Sequence, residues 1–471
     1  MAWPVPVVRL ALVAFMALMV AFTSAAPAEP RGIPQKPADD PFYQPPEGFQ
    51  NEAPGTVLRN RKIVAGFFGL LPNPIEAHQL LYRTTSTNGS AIAGATTIFK
   101  PWFPKKDRFV SFHTAYDSSA TICNPSYTYQ WGAPPTDLIS SAEMLLIEAY
   151  LISGYIVVSP DYEGPDAAFT PGHLEGMGVL DNMRAVTNFR EKLGLSTDKP
   201  MIVGAGYSGG AIATGWAASL QPSYAPELNI KGWVQGGTPS NLTSTLLLID
   251  DSTFSGFIPA AVAGLTMPST YGAELQPLME RILTDKGREA LDFARSHCAV
   301  ANLLKYPNLS LFSKDIQTMG EGLLEEPSIK SVLGKNIMGV NKDETPTAPV
   351  FAYHAKQDDI VPYDDASRMA KSWCDNGADV KFTTFAHGGH ATTEIVALPD
   401  ALNFVKAAFD GKTESGCSRN TELKSDLDPL ALGVELEPIL NRLIKVLSNL
   451  GKGDENMKNN LNVLDKTVST S

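Results

Sequence analysis

A serine stands at the centre of a short glycine-rich run whose residue types suit nucleophilic catalysis. The run Gly206-Tyr207-Ser208-Gly209-Gly210 matches the pattern G-x-S-x-G and lies between a strand-like and a helix-like segment. Its glycines let the backbone turn tightly, so that a hydroxyl is exposed above a sheet and the next amide faces the same space. We therefore predict Ser208 as a nucleophile and the Gly209 N–H as a donor to the oxyanion of a tetrahedral intermediate.

The same stretch has a second interpretation, because Gly204, Gly206 and Gly209 also spell the dinucleotide-binding pattern G-x-G-x-x-G. That pattern needs an acidic residue about 20 positions further on, at the end of another strand. Glu227 has a suitable spacing, but residues 223–226 before it do not resemble a strand. A dinucleotide-binding oxidoreductase and a glycine turn without chemistry are therefore the weaker alternatives.

The loop after a predicted strand ending at Tyr353 offers the acid that such a serine needs. Residues 354–362 read His-Ala-Lys-Gln-Asp-Asp-Ile-Val-Pro, and an acid in this loop follows the serine in the chain order expected of this architecture. We predict Asp358 as this acid, and the neighbouring Asp359 is its close rival. We interpret His354, which lies at the end of the strand, as a structural residue.

The following loop offers the base. Residues 386–394 read Ala-His-Gly-Gly-His-Ala-Thr-Thr-Glu, so two glycines form a mobile turn just before a predicted helix. This placement favours His390 as the base, with His387 as the alternative. His390 would accept the proton of Ser208 as the hydroxyl attacks an acyl carbon, and Asp358 would orient the imidazole and stabilise its charged form.

These residues need a framework of alternating strands and helices. Short β-branched or apolar runs predict strands, and apolar residues spaced three and four apart at 180–193 and 211–220 predict helices. The predicted strands are 109–113, 155–158, 201–203, 350–353 and 380–385. Such alternation predicts an α/β fold, with a mostly parallel sheet, helices on both faces and a ligand site at the carboxyl ends of the strands.

The stretch from residue 241 to 339 interrupts this alternation. It has long apolar runs with helical patterns and no convincing strand signal, and it accounts for most of the long spacing between Ser208 and Asp358. Because two successive core strands need only a short helix between them, the surplus predicts a helical cap or lid inserted into the sheet. The runs 254–259 and 265–267 suit a lid that faces lipid, although a core within the cap explains most of these residues more simply.

Length and composition limit the organisation of the chain. Its 471 residues include 38 basic and 50 acidic side chains, giving a net charge of −12, and 44% are hydrophobic. This excludes general disorder and argues against nucleic-acid binding, which needs a basic surface. At an average length of about 150 residues per domain, the chain would contain three domains, but the motifs predict one interrupted catalytic unit. The predicted regions are a signal peptide (1–25), an extended arm (26–54), an α/β core (55–240 and 340–423), an inserted cap (241–339), and a C-terminal helix with a flexible tail (424–471).

The N-terminal residues predict secretion. Arg9 precedes an apolar run at 10–22 that is shorter than the roughly 20 residues of a membrane helix, and small residues allow cleavage after Ala25. The four cysteines therefore suit two disulfides, with three pairings open. Glycosylation sequons begin at Asn88, Asn241 and Asn308.

Several motifs occur together over about residues 40–408. They are Tyr116-Asp117, Cys123 to Tyr127, Asp161 to Phe169, Glu175 to Asp181, Gly206 to Ala211, Gly236 to Pro239 and Gly389 to Glu394. In combination they resemble the fungal secretory lipases of the lipase A type. The resemblance implies an α/β-hydrolase core, a helical cap between the sixth and seventh core strands, and hydrolysis of triacylglycerols or other esters.

The resemblance also implies roles for individual residues. It makes Ser208 the nucleophile, Asp358 the acid and His390 the base, with Asp117 and Gly209 at the oxyanion. An ionised Asp117 would repel an oxyanion, so this residue must act through its backbone N–H or carry a proton in a desolvated site. The implied disulfides are Cys123 with Cys298 and Cys374 with Cys417.

We therefore expect a secreted, extracellular serine hydrolase acting on lipid or ester substrates at an oil–water interface, as a monomer. No cofactor, metal, nucleic acid or stable membrane anchor is expected. The alternatives are a carboxylesterase or acyltransferase acting on shorter or soluble esters, and a catalytically inactive relative used for binding.

Overall fold

The computed structural model describes residues 33–423, 454–456 and 459–460. The predicted signal peptide, the first residues of the predicted arm, and the predicted C-terminal helix around residues 439–450 lie outside the described residues. The rest of the arm contains short 3₁₀ turns, and its Phe42 packs against Leu81 of the sheet.

A ten-stranded sheet forms the centre of the described chain, in the order β1-β2-β3-β5-β4-β6-β7-β8-β9-β10. Strands β1, β2, β3 and β5 are antiparallel neighbours, whereas all neighbours from β5 through β4 to β10 are parallel. The strands are β1 (Val57–Phe67), β2 (Leu71–Thr85), β3 (Ala91–Lys100), β4 (Arg108–His113), β5 (Ile156–Pro160), β6 (Met201–Tyr207), β7 (Ile230–Gly236), β8 (Val350–Ala355), β9 (Val380–Phe385) and β10 (Ser418–Glu422). The predicted α/β class is confirmed, and β1, β2, β3, β7 and β10 were not predicted.

Helices cover both faces of this sheet. Their bounds are Pro125–Thr128, Leu138–Ile152, Gly172–Asn188, Arg190–Leu193, Gly209–Tyr224, Leu242–Ile249, Phe257–Leu265, Gly272–Ile282, Asp285–Ala294, Ala299–Lys305, Pro327–Lys335, Tyr363–Asp375 and His390–Phe409. In β5, Ile156 and Val158 join the core on one face, whereas Val157 joins the core on the other. Because both faces are buried, the strand reads as a continuous apolar run instead of an alternating one.

The chain between β7 and β8 forms an excursion that is closed at its base. No strand occurs in residues 237–349, all of which the structure describes. The Met338 N–H donates to the Ser240 carbonyl at 2.9 Å, and Asn241 pairs with Ile337 in an isolated antiparallel bridge. The resemblance implied a cap between the sixth and seventh core strands. In chain order this excursion lies between the seventh and eighth strands of the sheet, because three antiparallel strands precede the parallel part. Its own buried core comprises Ile249, Ile258, Leu278, Met279, Ile282, Leu311 and Leu323.

Two disulfides join distant parts of the chain. Cys123, in the turn that follows β4, is bonded to Cys298 at the start of helix Ala299–Lys305, so this bridge ties the excursion to the sheet. Cys374 of helix Tyr363–Asp375 is bonded to Cys417 just before β10. These are the pairs that the resemblance implies.

Candidate active site

Ser208 occupies the turn between β6 and helix Gly209–Tyr224. Its φ of 52° and ψ of −124° are strained for a residue with a side chain, and such strain costs of order 1–3 kcal/mol. The turn is crowded as well as tight, since a Cβ on Gly210 would lie 1.9 Å from the His113 carbonyl oxygen and one on Gly206 would lie 2.4 Å from the Gly210 oxygen. Glycines therefore allow the backbone to present Ser208 above the sheet.

Three predicted residues meet at the carboxyl ends of parallel strands. Ser208 follows β6, Asp358 follows β8 and His390 follows β9. The distance from Ser208 Oγ to His390 Nε2 is 2.7 Å, and the distance from His390 Nδ1 to Asp358 Oδ2 is 2.8 Å. Because an ionised carboxylate only accepts hydrogen bonds, Nδ1 must carry the proton, which leaves Nε2 free to accept the Ser208 hydroxyl.

Asp358 is held as an anion by its surroundings. The backbone N–H groups of Ile360 and Val361 donate to its Oδ1 at 3.0 and 2.7 Å, and His354 Nε2 lies 3.3 Å from its Oδ2. Burial opposes ionisation, but the charge of His390 and the hydrogen bonds from His354 and His390 keep the pKa of Asp358 well below its usual range. The carboxylate is therefore available to stabilise a charged imidazole.

His390 is fixed through its backbone as well as its ring. Its N–H donates to Asp359 Oδ1 at 3.0 Å, and its carbonyl accepts the Tyr207 hydroxyl at 2.7 Å. Burial alone would lower the pKa of His390, but the Asp358 carboxylate raises it above its ordinary value. The rival acid Asp359 thus contacts the backbone of the histidine and not its ring, and the rival base His387 is exposed.

Asp117 and Gly209 lie beside Ser208. Asp117 has a φ of 44°, and with Ser208 and Gly209 it lines one cavity. Gly209 is the first residue of its helix, where the N–H is not used by the helix itself. Asp117 Oδ1 is buried without a hydrogen-bond partner, and burial raises the pKa of this carboxyl to about 7. The side chain is therefore largely neutral under mildly acidic conditions.

An apolar cavity opens from Ser208 into the excursion. Its volume is about 140 Å³, and both the excursion and the core contribute to its walls. The lining is almost entirely aliphatic and aromatic, with few polar groups beyond those at the serine. Representative lining residues are Phe169, Ile212, Phe257, Val262, Met279, Leu291 and Val332. A long apolar group attached to a reacting acyl carbon fits this environment.

Comparison with known proteins identifies the family. Residues 129–416 match the family model described as secretory lipase. A secreted triacylglycerol lipase of Malassezia furfur is 44% identical over 412 residues, which cover 87% of this chain and 83% of that protein. The chain belongs to the secretory lipase family. The resemblance predicted from the motifs is confirmed.

Other relatives span nearly the whole molecule. A secreted triacylglycerol lipase of Malassezia restricta is 41% identical over 447 residues, covering 93% of this chain and 94% of that protein. The X-ray structure of Candida antarctica lipase A superposes with a TM-score of 0.77 at 34% identity, covering 88% of this chain and 95% of that one. The fold of this secretory lipase is therefore the α/β-hydrolase fold of lipase A.

The structure also places the residues of the oxidoreductase alternative. Glu227 lies at the surface and forms a 2.6 Å ion pair with Arg184. At Gly209, where the pyrophosphate of a dinucleotide would approach the helix, a Cβ would lie only 1.8 Å from Asp117 Oδ1. The Asp117 side chain of this secretory lipase therefore occupies the space beside Gly209 that the pyrophosphate would need.

The remaining histidines lie away from the serine in polar or aromatic contacts. His113 is buried between Ser111 and Thr214, and burial lowers its pKa to about 3. Within the described ranges, no three metal-ligating side chains are grouped to hold an ion, and none of the helices has the length and hydropathy of a membrane span.

The sequence analysis missed Tyr207, whose hydroxyl donates to the carbonyl of His390. This residue carried no signal in the sequence because it fills a variable position of G-x-S-x-G.

Proposed function

We propose that this secretory lipase is an extracellular triacylglycerol lipase in which Ser208, His390 and Asp358 are the catalytic residues. One observation carries the proposal: a continuous hydrogen-bond chain through these residues ends at Ser208, which lines an apolar cavity. The names of the relatives from Malassezia, which are secreted triacylglycerol lipases, support the same activity.

The chemistry follows from this geometry. Ser208 Oγ attacks the ester carbon while its proton passes to His390 Nε2, and the new imidazolium is stabilised by Asp358. The proton then passes to the departing alcohol oxygen as the C–O bond breaks, leaving an acyl group on Ser208. Water next attacks this acyl carbon and gives a proton to His390. The bond from the acyl carbon to Ser208 Oγ then breaks and His390 returns the proton to Oγ, which releases the fatty acid and restores the serine.

The N–H groups of Gly209 and Asp117 are proposed to bind the oxyanion. An ionised Asp117 carboxylate would raise the energy of that oxyanion, by roughly 3–4 kcal/mol if the two charges were about 4–5 Å apart at an effective dielectric constant of 20. Burial, which keeps this carboxyl neutral up to a pH of about 7, removes the repulsion. We therefore assign catalysis to the enzyme with a protonated Asp117.

The proposed enzyme works as a monomer at an oil–water interface and as a glycoprotein. Asn88 lies exposed in the turn between β2 and β3, and Asn308 is also exposed. Asn241 is partly buried and its Oδ1 accepts the Thr243 N–H at 3.1 Å, so it also caps a helix. Loss of mass on treatment with an endoglycosidase, followed by peptide mapping, tests the three sequons.

The activity is tested with p-nitrophenyl esters of short and long acyl chains and with emulsified triolein. We expect hydrolysis of both long-chain esters and triolein, and a fall in kcat of at least about 10³-fold in Ser208→Ala. Ser219→Ala, which alters a buried serine further along the same helix, is the matched control and should retain activity. Undiminished activity in Ser208→Ala would refute the mechanism, and hydrolysis confined to short soluble esters would identify a carboxylesterase.

A further inference from the structure

The loop after β4 is hydrogen-bonded to the excursion at the two residues that follow Asp117. The Ser118 hydroxyl accepts the Ala299 N–H at 2.9 Å, and the Ser119 hydroxyl donates to the Ala260 carbonyl at 2.7 Å. Ala260 and Ala299 belong to different helices of the excursion, and these four residues are at most 2% exposed. The excursion therefore makes two buried contacts with the loop that carries a proposed oxyanion donor.

Ser118 also acts on the peptide group that contains the Asp117 N–H. Its hydroxyl donates to the Tyr116 carbonyl at 2.5 Å, so its proton is used there while a lone pair accepts the Ala299 N–H. The Tyr116 carbonyl and the Asp117 N–H belong to one planar peptide group. A contact that fixes the direction of the carbonyl therefore also fixes the direction of the N–H.

The backbone of Asp117 depends on restraint from both sides. On the preceding side, the Tyr116 hydroxyl accepts the N–H of Glu163, which follows β5, at 3.0 Å. Asp117 itself has a φ of 44°, in the left-handed region that residues with a side chain seldom adopt. Such strain persists only while the surrounding structure holds it. The contacts of Ser118 and Ser119 with the excursion supply that restraint on the following side.

The excursion helices that hold the loop have further links to the site. Helix Phe257–Leu265, which contains Ala260, also lines the apolar cavity. Ala299 directly follows Cys298, whose disulfide to Cys123 returns to the loop after β4. A helix that forms a wall of the cavity is thus bonded to the loop that carries an oxyanion donor.

We propose that Ser118 and Ser119 are positioning residues through which the excursion sets the geometry of the oxyanion site. This inference rests on the ester hydrolysis proposed above. Ser118 fixes the peptide group that carries the Asp117 N–H, and Ser119 fixes the chain that follows it. Loss of either contact lets the N–H turn away from the oxyanion, while Ser208 and His390 keep their places.

Alanine variants separate this role from a general loosening of the excursion. Ser118→Ala and Ser119→Ala each remove one hydroxyl of the link. Ser255→Ala is the matched control, because the Ser255 hydroxyl is also buried and has its hydrogen-bond partners within the excursion. It donates to the Tyr306 carbonyl at 2.8 Å and accepts the Leu309 N–H at 2.9 Å.

The experiment measures kcat and KM for p-nitrophenyl acetate at pH 6. At this pH the Asp117 carboxyl, whose pKa burial raises to about 7, is mostly protonated in every enzyme. Rates are normalised to the fraction of Ser208 that reacts with a phosphonate ester. The inhibition constant of butylboronic acid is measured beside them, because its tetrahedral adduct with Ser208 places a boronate oxygen at the oxyanion site.

We expect kcat to fall by about tenfold or more in Ser118→Ala and in Ser119→Ala, with KM within about threefold of the wild type. The inhibition constant of the boronic acid should rise by a similar factor, because the same N–H binds the boronate oxygen. Ser255→Ala should keep kcat, KM and the inhibition constant within about threefold of the wild type.

The inference is overturned if both loop variants keep kcat, if Ser255→Ala lowers kcat equally, or if kcat falls while the inhibition constant stays unchanged. Should one loop variant fail to fold, the other carries the same expectation and the same refutation. A wild-type enzyme that hydrolyses no ester would instead refute the proposed function, and this inference with it.

Discussion

Neighbouring aspartates follow β8, and exchanging each for asparagine tests which of them serves His390 as the acid. In the structure Asp358 Oδ2 lies 2.8 Å from His390 Nδ1, whereas Asp359 Oδ1 accepts the backbone N–H of His390 at 3.0 Å. The first contact fixes the tautomer of the ring. The second positions only the first residue of the helix.

These contacts predict effects of very different size. In Asp358→Asn, an amide nitrogen facing Nδ1 would favour the tautomer with its proton on Nε2, which cannot accept the Ser208 proton. A loss of about 10⁴ in kcat, or about 5.4 kcal/mol at 1.36 kcal/mol per tenfold change, is the expected cost. Asp359→Asn keeps an oxygen that can accept the His390 N–H. Even full removal of such a helix-terminal acceptor costs about 0.5–2 kcal/mol, or at most about 30-fold.

The assay is kcat for p-nitrophenyl butyrate at saturating ester, with thermal unfolding as a check that each variant is folded. Asp358→Asn should be at least about 100-fold slower than Asp359→Asn, the difference between the two costs above. If Asp359→Asn proves the slower enzyme while remaining folded, the assignment of Asp358 as the acid is wrong.

Three other perturbations have expected outcomes. Gly209→Ala presses a methyl group against Asp117 Oδ1, so kcat should fall by about 10²-fold or more, and an unchanged kcat would contradict the proposed oxyanion site. The double change Cys123→Ser with Cys298→Ser opens a bridge across 175 residues, so urea unfolding should show a loss of about 5 kcal/mol, and a loss below about 1 kcal/mol would count against it. Five carboxyl groups whose pKa values burial raises to about 7 keep protons in the folded chain that they lose near pH 4 when unfolded. Stability should therefore fall as the pH rises from about 4 to 7, and a melting temperature that rises over this interval would refute the point. These groups are Asp117, Asp137, Asp161, Glu148 and Glu394.

The parallel half of the sheet could be predicted from sequence because its strands are buried on both faces. Short β-branched runs such as Ile156 to Val158 are typical of strands buried on both faces. Strand β2 (Leu71–Thr85) was missed because it contains two prolines and several polar residues, and its pairing with β1 and β3 is decided by contacts along the sheet. A signal did exist, since Asn88-Gly89 between β2 and β3 is a typical hairpin turn.

The site was predictable where its chemistry is local. The glycines around Ser208 and the loops after β8 and β9 named the three residues that the structure brings together. The sequence favoured Asp358 as the acid but left Asp359 as a rival, because adjacent residues of a loop can point either way.

The closed base of the excursion has a consequence for how such enzymes diversify. Its two ends meet through the Met338 N–H and the Ser240 carbonyl, so the intervening chain begins and ends at one place. Exchanging that chain for one of different length leaves the register of β7 and β8 untouched, provided that a cysteine remains to pair with Cys123. The part of the cavity wall that the excursion supplies can therefore be exchanged between relatives, which would change the esters that are accepted while the residues around Ser208 stay the same.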